Sequence, residues 1–212
     1  MELVSGVDLH FITSKKFKTN RIKMRFSAPM STDTIAGRVL VASMLETANE
    51  VYPTSQIFRE RLATLYGANF STGLSRRGLI HYVDLNISFV SDAFLSRKNT
   101  LTGEILDFLK DDLLKPLANG GAFNQAVFEI EKKNVLNDLK TEIEDHFYHA
   151  HQELNKLFYT EKEMQTPRLA TPDLVDKETP ESSFAIFQKI TEGKSLTADE
   201  EKEWEKIKQR FD

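Results

Sequence analysis

The chain of 212 residues has no cysteine. That excludes a disulfide framework, thiol catalysis and any cysteine-ligated metal. It has no apolar run near the ~18 residues that a membrane-spanning helix needs. The start, "MELVSGVDLHF", lacks a basic segment followed by an apolar core, so it does not read as a secretory signal. A soluble, cytoplasmic protein with no membrane partner is the expectation. There is no excess of positive charge either. A net charge of -4 and a pI near 5.8 argue against nucleic acid as a partner. The 15 phenylalanines spread along apolar stripes and form no platform for stacking bases. Glycine-dependent catalytic motifs are missing too. No Gly-x-Ser-x-Gly elbow occurs. "TEGKS" (Thr191 to Ser195) has Gln188 where a phosphate-binding loop needs its first glycine, and it follows a helical segment instead of a strand. Neighbouring carboxylates such as Asp111 with Asp112 splay apart on a helix and serve solubility.

What the sequence does contain is a change of period. "VDLHFIT" and "RIKMRFSA" alternate around "SKKFKTN", which reads as a hairpin with a basic, solvated loop. Val39, Leu40, Met44, Leu45 and Ala48 then give a helical stripe. "QIFRERLATLYG" is a second helix ending at Gly67. "NFSTGLS" and "LIHYVDLNISFV" follow as strands around "RRG". On the second of these, Leu79, His81, Val83, Leu85, Ile87 and Phe89 share one face, and Tyr82, Asp84, Asn86 and Ser88 lie on a wet one. The remainder is mostly helical. One long helix, or two joined, runs from Asn124 to about Tyr159, with Val135, Leu139, Ile143, Phe147, Ala150, Leu154 and Phe158 as a core-facing stripe. The order implies an α+β fold: an antiparallel or mixed sheet backed by helices on one face. It divides into a domain over 1–190 and a charged amphipathic helix over 191–212, where "TADE" is a capping box and Trp204, Ile207 and Phe211 make a narrow apolar stripe.

The layout "YP…F…RL…LYGA", then a strand pair, a helix pair ending in "PL", "FN…FEIEKKNVLNDLKTEIED" and "TPESSFAIFQKI", resembles the N-terminal domain of pitrilysin-type peptidases, the insulinase and mitochondrial-processing-peptidase family. The resemblance covers roughly residues 5 to 190 and is closest to a non-catalytic branch of Gram-positive bacteria. It implies the family's metallohydrolase-like fold. Active members bind zinc through a His-x-x-Glu-His helix, whose glutamate is the general base, and through a third, downstream glutamate. In this chain those positions fall on Val39, Ala42, Ser43 and Asp138. No histidine lies between His10 and His81, so no register of that helix offers a ligand. The resemblance therefore implies a peptidase-like domain with no catalytic residues, no metal and no cofactor. It further implies, as partner, an active zinc-peptidase paralogue or a peptide, with a link to modification of translation elongation factor P.

A peptide would add to the edge strand at Phe70, Ser71, Thr72 and Gly73, as substrates do in the active family, because strand addition needs no catalytic group. The alternative is a metal-dependent hydrolase built on His146 and His149 of "DHFYHAH" with Glu142 a turn earlier, where i, i+4 spacing can hold a divalent ion. A solvated helix face is the plainer reading of those residues. Related chains usually hold two such domains and continue, after the position of Ile190, into an apolar strand. Here a polar segment stands instead, which leaves open oligomerisation and whether the chain acts alone or is a remnant.

Overall fold

The computed structural model describes residues 2–4, 7–95 and 100–191. In chain order the elements are β1 (Glu2–Val4), β2 (Val7–Asp8), β3 (Thr19–Pro29), α1 (Ile35–Thr47), α2 (Ser55–Thr64), β4 (Asn69–Arg77) and β5 (Ile80–Val90). Then come α3 (Leu101–Leu114), β6 (Ala118–Asn119), β7 (Ala122–Phe123), α4 (Gln125–Glu144), α5 (His146–Phe158), α6 (Lys162–Gln165), α7 (Pro172–Asp176) and α8 (Pro180–Ile190). The architecture is α+β. Its main sheet is antiparallel in the order β3-β5-β4, and helices cover one face.

Helix α1 explains the layering. Ten of its thirteen residues are buried, including Ile35, Val39, Leu40, Val41, Met44 and Leu45. A helix that is apolar all round must be enclosed. The sheet lies on one side of it, with α4, α7 and α8 on the other. Beneath the sheet, Phe58, Phe70, Phe108 and Tyr52 form a ring cluster with Phe58 and Phe108 centroids 5.2 Å apart. Gly37 sits where α8 crosses α1: a Cβ there would lie 2.2 Å from Ile186 Cδ1. Its missing side chain sets the spacing of the two helices.

The central strand behaves as its alternation predicts. Val83, Leu85, Ile87 and Phe89 are buried against the helices. Leu79, in contrast, sits exposed in the two-residue turn with Gly78, whose φ is +57°. The turn therefore falls one step later than "RRG". On the other face Asp84 is not wet but 5% exposed, because Lys23 and Arg25 close over it.

Two expectations are corrected. The first is the opening hairpin. "VDLHFIT" contributes only Val7–Asp8, which pairs with β1, and residues 9–18 form no strand. β3 pairs instead with β5 over all eleven residues, Thr19↔Val90 to Pro29↔Ile80, since Asp84 on β5 draws in both Lys23 and Arg25. The second is the long stripe. The helix breaks at Asp145, whose carboxylate accepts from the Phe147 and Tyr148 N–H groups and so caps α5 afresh. Val135 and Leu139 before the break are buried. Phe147, Leu154 and Phe158 after it are exposed. The reading of 191–212 falls, beyond Thr191, outside the described residues.

A candidate binding cleft beside a strand edge

Along α1, Val39, Ala42 or Ser43, and Glu46 recur at i, i+3 or i+4, and i+7, so they share one face. That face meets α4 at Glu131, Val135, Asp138 and Leu139, and the two helices floor an open cleft of about 610 Å³ whose rim includes Thr72 and Leu74 of β4. All four positions that the resemblance assigns to the zinc site, Val39, Ala42, Ser43 and Asp138, line this one cleft.

Zinc does not fit the residues present. Val39 and Ala42 are apolar and 5% and 2% exposed, so they serve as packing. The Ser43 hydroxyl donates to Glu131 Oε2 at 2.7 Å, which ties α1 to α4 where an active relative would use the metal. No imidazole is present, and among the described residues no three His, Asp or Glu side chains converge as a metal group. The same finding overturns the alternative at Glu142, His146 and His149. The break at Asp145 falls between Glu142 and His146 and destroys their one-turn spacing. Glu142 and His149 line a separate cleft of about 400 Å³ with Tyr148 and Gln152, while His146 does not.

Beside the first cleft runs the outer edge of β4, which pairs with no strand among the described residues. In an antiparallel ladder, alternate residues exchange both backbone bonds with the partner strand and the others point both groups away. The tight turn pairs Arg77 with Ile80, and the Thr72 N–H bonds outward to Glu46 Oε2 at 2.8 Å. Together these fix the parity. Ser71 and Gly73 spend their backbone groups on β5, whereas Phe70, Thr72 and Leu74 direct theirs to the edge. The Phe70 ring itself is buried. Glu46 also accepts from Thr72 Oγ1 at 2.8 Å and lies 3.7 Å from the Arg59 guanidinium. Thus a side chain of α1 occupies the place where an incoming strand would offer its first carbonyl. Glu46 and Glu131 were not singled out from the sequence. The i+7 spacing of Glu46 from Val39 is the signal that finds it.

The segment 163–170 passes the far end of β4, and Leu169 from it lines the cleft. The Arg76 guanidinium donates to the carbonyls of Glu163, Met164 and Thr166, the last at 2.7 Å. His81 is 1% exposed and bonds the Arg168 carbonyl through Nε2 at 2.9 Å, while its Nδ1 lies 3.1 Å from Arg38 Nε. Since the guanidinium can only donate, Nδ1 is the acceptor and the ring is neutral. Burial, opposed by the Arg168 bond and assisted by the charges of Arg38 and Arg76, pushes its pKa down to about 4.

No protein-family profile matches the chain. A Bacillus subtilis (strain 168) protein described as the probable inactive metalloprotease YmfF is 24% identical over 140 residues, 66% of this chain and 33% of its own length. Among solved structures, a conserved protein from Enterococcus faecalis V583 is 32% identical with a TM-score of 0.81, over 84% of this chain and 42% of that one. A peptidase M16 inactive domain from Pseudomonas fluorescens superposes with a TM-score of 0.61 at 16% identity, over 82% of this chain and 39% of that one. The chain thus spans well under half the length of these relatives. No helix among the described residues is long and apolar enough to cross a membrane. The chain thus has the fold of M16-like peptidase domains, is similar to a relative described as a probable inactive metalloprotease, and carries no zinc ligand at Val39, Ala42 or Ser43.

Proposed function

We propose that the domain binds an extended peptide segment along the outer edge of β4, over the cleft, without cleaving it. One observation carries this reading. A cleft lies beside a strand edge that no other strand pairs among the described residues, and no zinc ligand lines it at Val39, Ala42 or Ser43. Backbone pairing supplies affinity and the cleft supplies side-chain space, and neither needs a ligand or a base. Phe70, Thr72 and Leu74 offer the backbone groups. Ser71 and Gly73 of the same stretch shape the opposite, polar side of the strand. Glu46 is a competitor that the peptide displaces at the Thr72 N–H.

Selection of random peptides on the full chain tests the proposal. The sequences recovered should bind more tightly to Glu46→Ala, which frees the Thr72 donor. They should lose roughly tenfold on Leu74→Pro, which deletes an outward N–H. Enrichment of no sequence, or binding indifferent to Leu74→Pro in a folded protein, overturns it. The resemblance extends the proposal to an active zinc-peptidase paralogue as the source of the bound segment, and to a role in modification of translation elongation factor P. Co-purification of such a paralogue with the tagged chain from its own cell is the test of that extension.

A further inference from the structure

The sheet has a second open edge, at β3, and it differs chemically from the first. The Ser91 N–H donates to the Lys18 carbonyl and the Met30 N–H to the Leu79 carbonyl, at 2.9 and 2.7 Å, bracketing the strand. Even-numbered residues of β3 therefore exchange bonds with β5, and Thr19, Arg21, Lys23, Arg25, Ser27 and Pro29 turn their backbone groups outward. Among the described residues no strand pairs with that edge. An edge of this length is a template for strand addition. The side chains divide cleanly. Ile22, Met24 and Phe26 reach the helix-side core but are only half-buried, whereas their partners Val83, Leu85 and Ile87 on β5 are buried. The strand is short of cover on its apolar side.

On its polar side stand three cations in a row. Lys23 and Arg25 share the carboxylate of Asp84, at 2.9 and 2.6 Å, and Arg21 bonds the Asn86 amide oxygen, at 3.0 Å. Among the described residues, three positive charges on this face share one carboxylate. We infer that β3 receives an extended segment of another polypeptide in which acidic residues alternate with apolar ones. The acidic residues lie beside Arg21, Lys23 and Arg25, and the apolar ones cover Ile22, Met24 and Phe26. Directly opposed side chains in a sheet are about 4.5–5.5 Å apart, close enough for this pairing to select the register. A second copy of this chain is not that segment, since β3 against β3 sets the two cationic rows together. The site is independent of β4 and of the proposal made for it.

The probe is a short, end-blocked, fluorescent peptide alternating glutamate with valine, titrated into the full chain and read by polarisation. Its counterpart alternates lysine with valine, and a third peptide has the glutamates and valines in separate blocks. The alternating acidic peptide should bind roughly tenfold or more tightly than either. Ser27→Pro removes one outward donor and no bond to β5, a change that edge strands tolerate. It should weaken binding about tenfold while leaving the unfolding midpoint in place. Arg21→Glu with Lys23→Glu should invert the preference toward the lysine peptide, which keeps the test decisive if Ser27→Pro misfolds. Equal binding of the acidic and basic peptides, or a charge-reversed variant that keeps the acidic preference, overturns the proposal.

Discussion

Three buried residues carry chemistry that the fold has to hold in check. His81 is neutral because Arg38 occupies its acceptor and the Arg168 carbonyl its donor. Its folded pKa of about 4 lies below the ordinary 6.5, so the unfolded chain takes up a proton first. Its contribution is fully present above pH 6.5 and falls as the pH drops toward 4, by up to about 3 kcal/mol. Urea titrations across that range should show this slope in the native protein and not in His81→Gln. Asp112, expected from the sequence to serve solubility, is instead fully buried, with one oxygen bonded by Asn49 and no partner for the other among the described residues. Burial, against the Asn49 bond, raises its pKa well above the carboxylate range. Above the ordinary carboxylate pKa folding must take up a proton, so stability is full below that pKa and is lost as the pH rises through the folded one. Asp112→Asn should accordingly be the more stable form at pH 7 and lose that advantage in acid. Gly37→Ala gains about 1 kcal/mol of helix propensity but overpacks against Ile186, at about 1–3 kcal/mol. A net loss is expected, and Ile186→Val, which deletes the offending methyl, should recover most of it in the double variant.

At the scale of elements, α5 is built inside out relative to its neighbours. Its polar side, with Tyr148, Gln152 and Lys156, lines the smaller cleft, while Phe147, Leu157 and Phe158 are 89%, 86% and 74% exposed. Because the Phe147 and Leu157 side chains are so exposed, Phe147→Ser with Leu157→Ser should change the unfolding free energy by less than about 0.5 kcal/mol. Leu139→Ala, one helix earlier and buried, should cost about 2–5 kcal/mol. The same helix shows how far the sequence could be read. Periodicity located apolar stripes correctly, including β5 and α1, because burial follows spacing within one element. It cannot tell whether a stripe continues across a cap. Asp145 reads equally well as a helix-surface residue or as the N-cap of a new helix, and only the tertiary path decides. The pairing of β3 was illegible for a related reason. Alternation marks a strand but not its partner, and the decisive contact, Asp84 with Lys23 and Arg25, joins residues 59 or more positions apart. The absence of a His-x-x-Glu-His helix was legible because it is compositional: no histidine stands between His10 and His81.

For the whole molecule, the layers are joined by side chains where an active relative would use an ion. Exhaustive dialysis against a chelator should leave the unfolding curve unchanged, and metal analysis should find no stoichiometric zinc. Introducing Val39→His, Ala42→Glu, Ser43→His and Asp138→Glu together should not restore turnover of a mixed peptide pool. The ligands would lack the supporting hydrogen bonds that orient them, and Ser43→His removes the bond to Glu131 that now holds α1 against α4. Robust cleavage by this variant would show the site to be pre-organised.

The Ser43–Glu131 bond also bears on the order in which the motif could be installed in this chain. Taken singly, Ala42→Glu buries a carboxylate on a helix face that is 2% exposed, and Ser43→His leaves Glu131 without its donor. Each step is uphill by a kcal/mol or more before any ion could offset it. Installing the motif one substitution at a time therefore crosses unfavourable intermediates, and only a full set of ligands together with an ion could offset them.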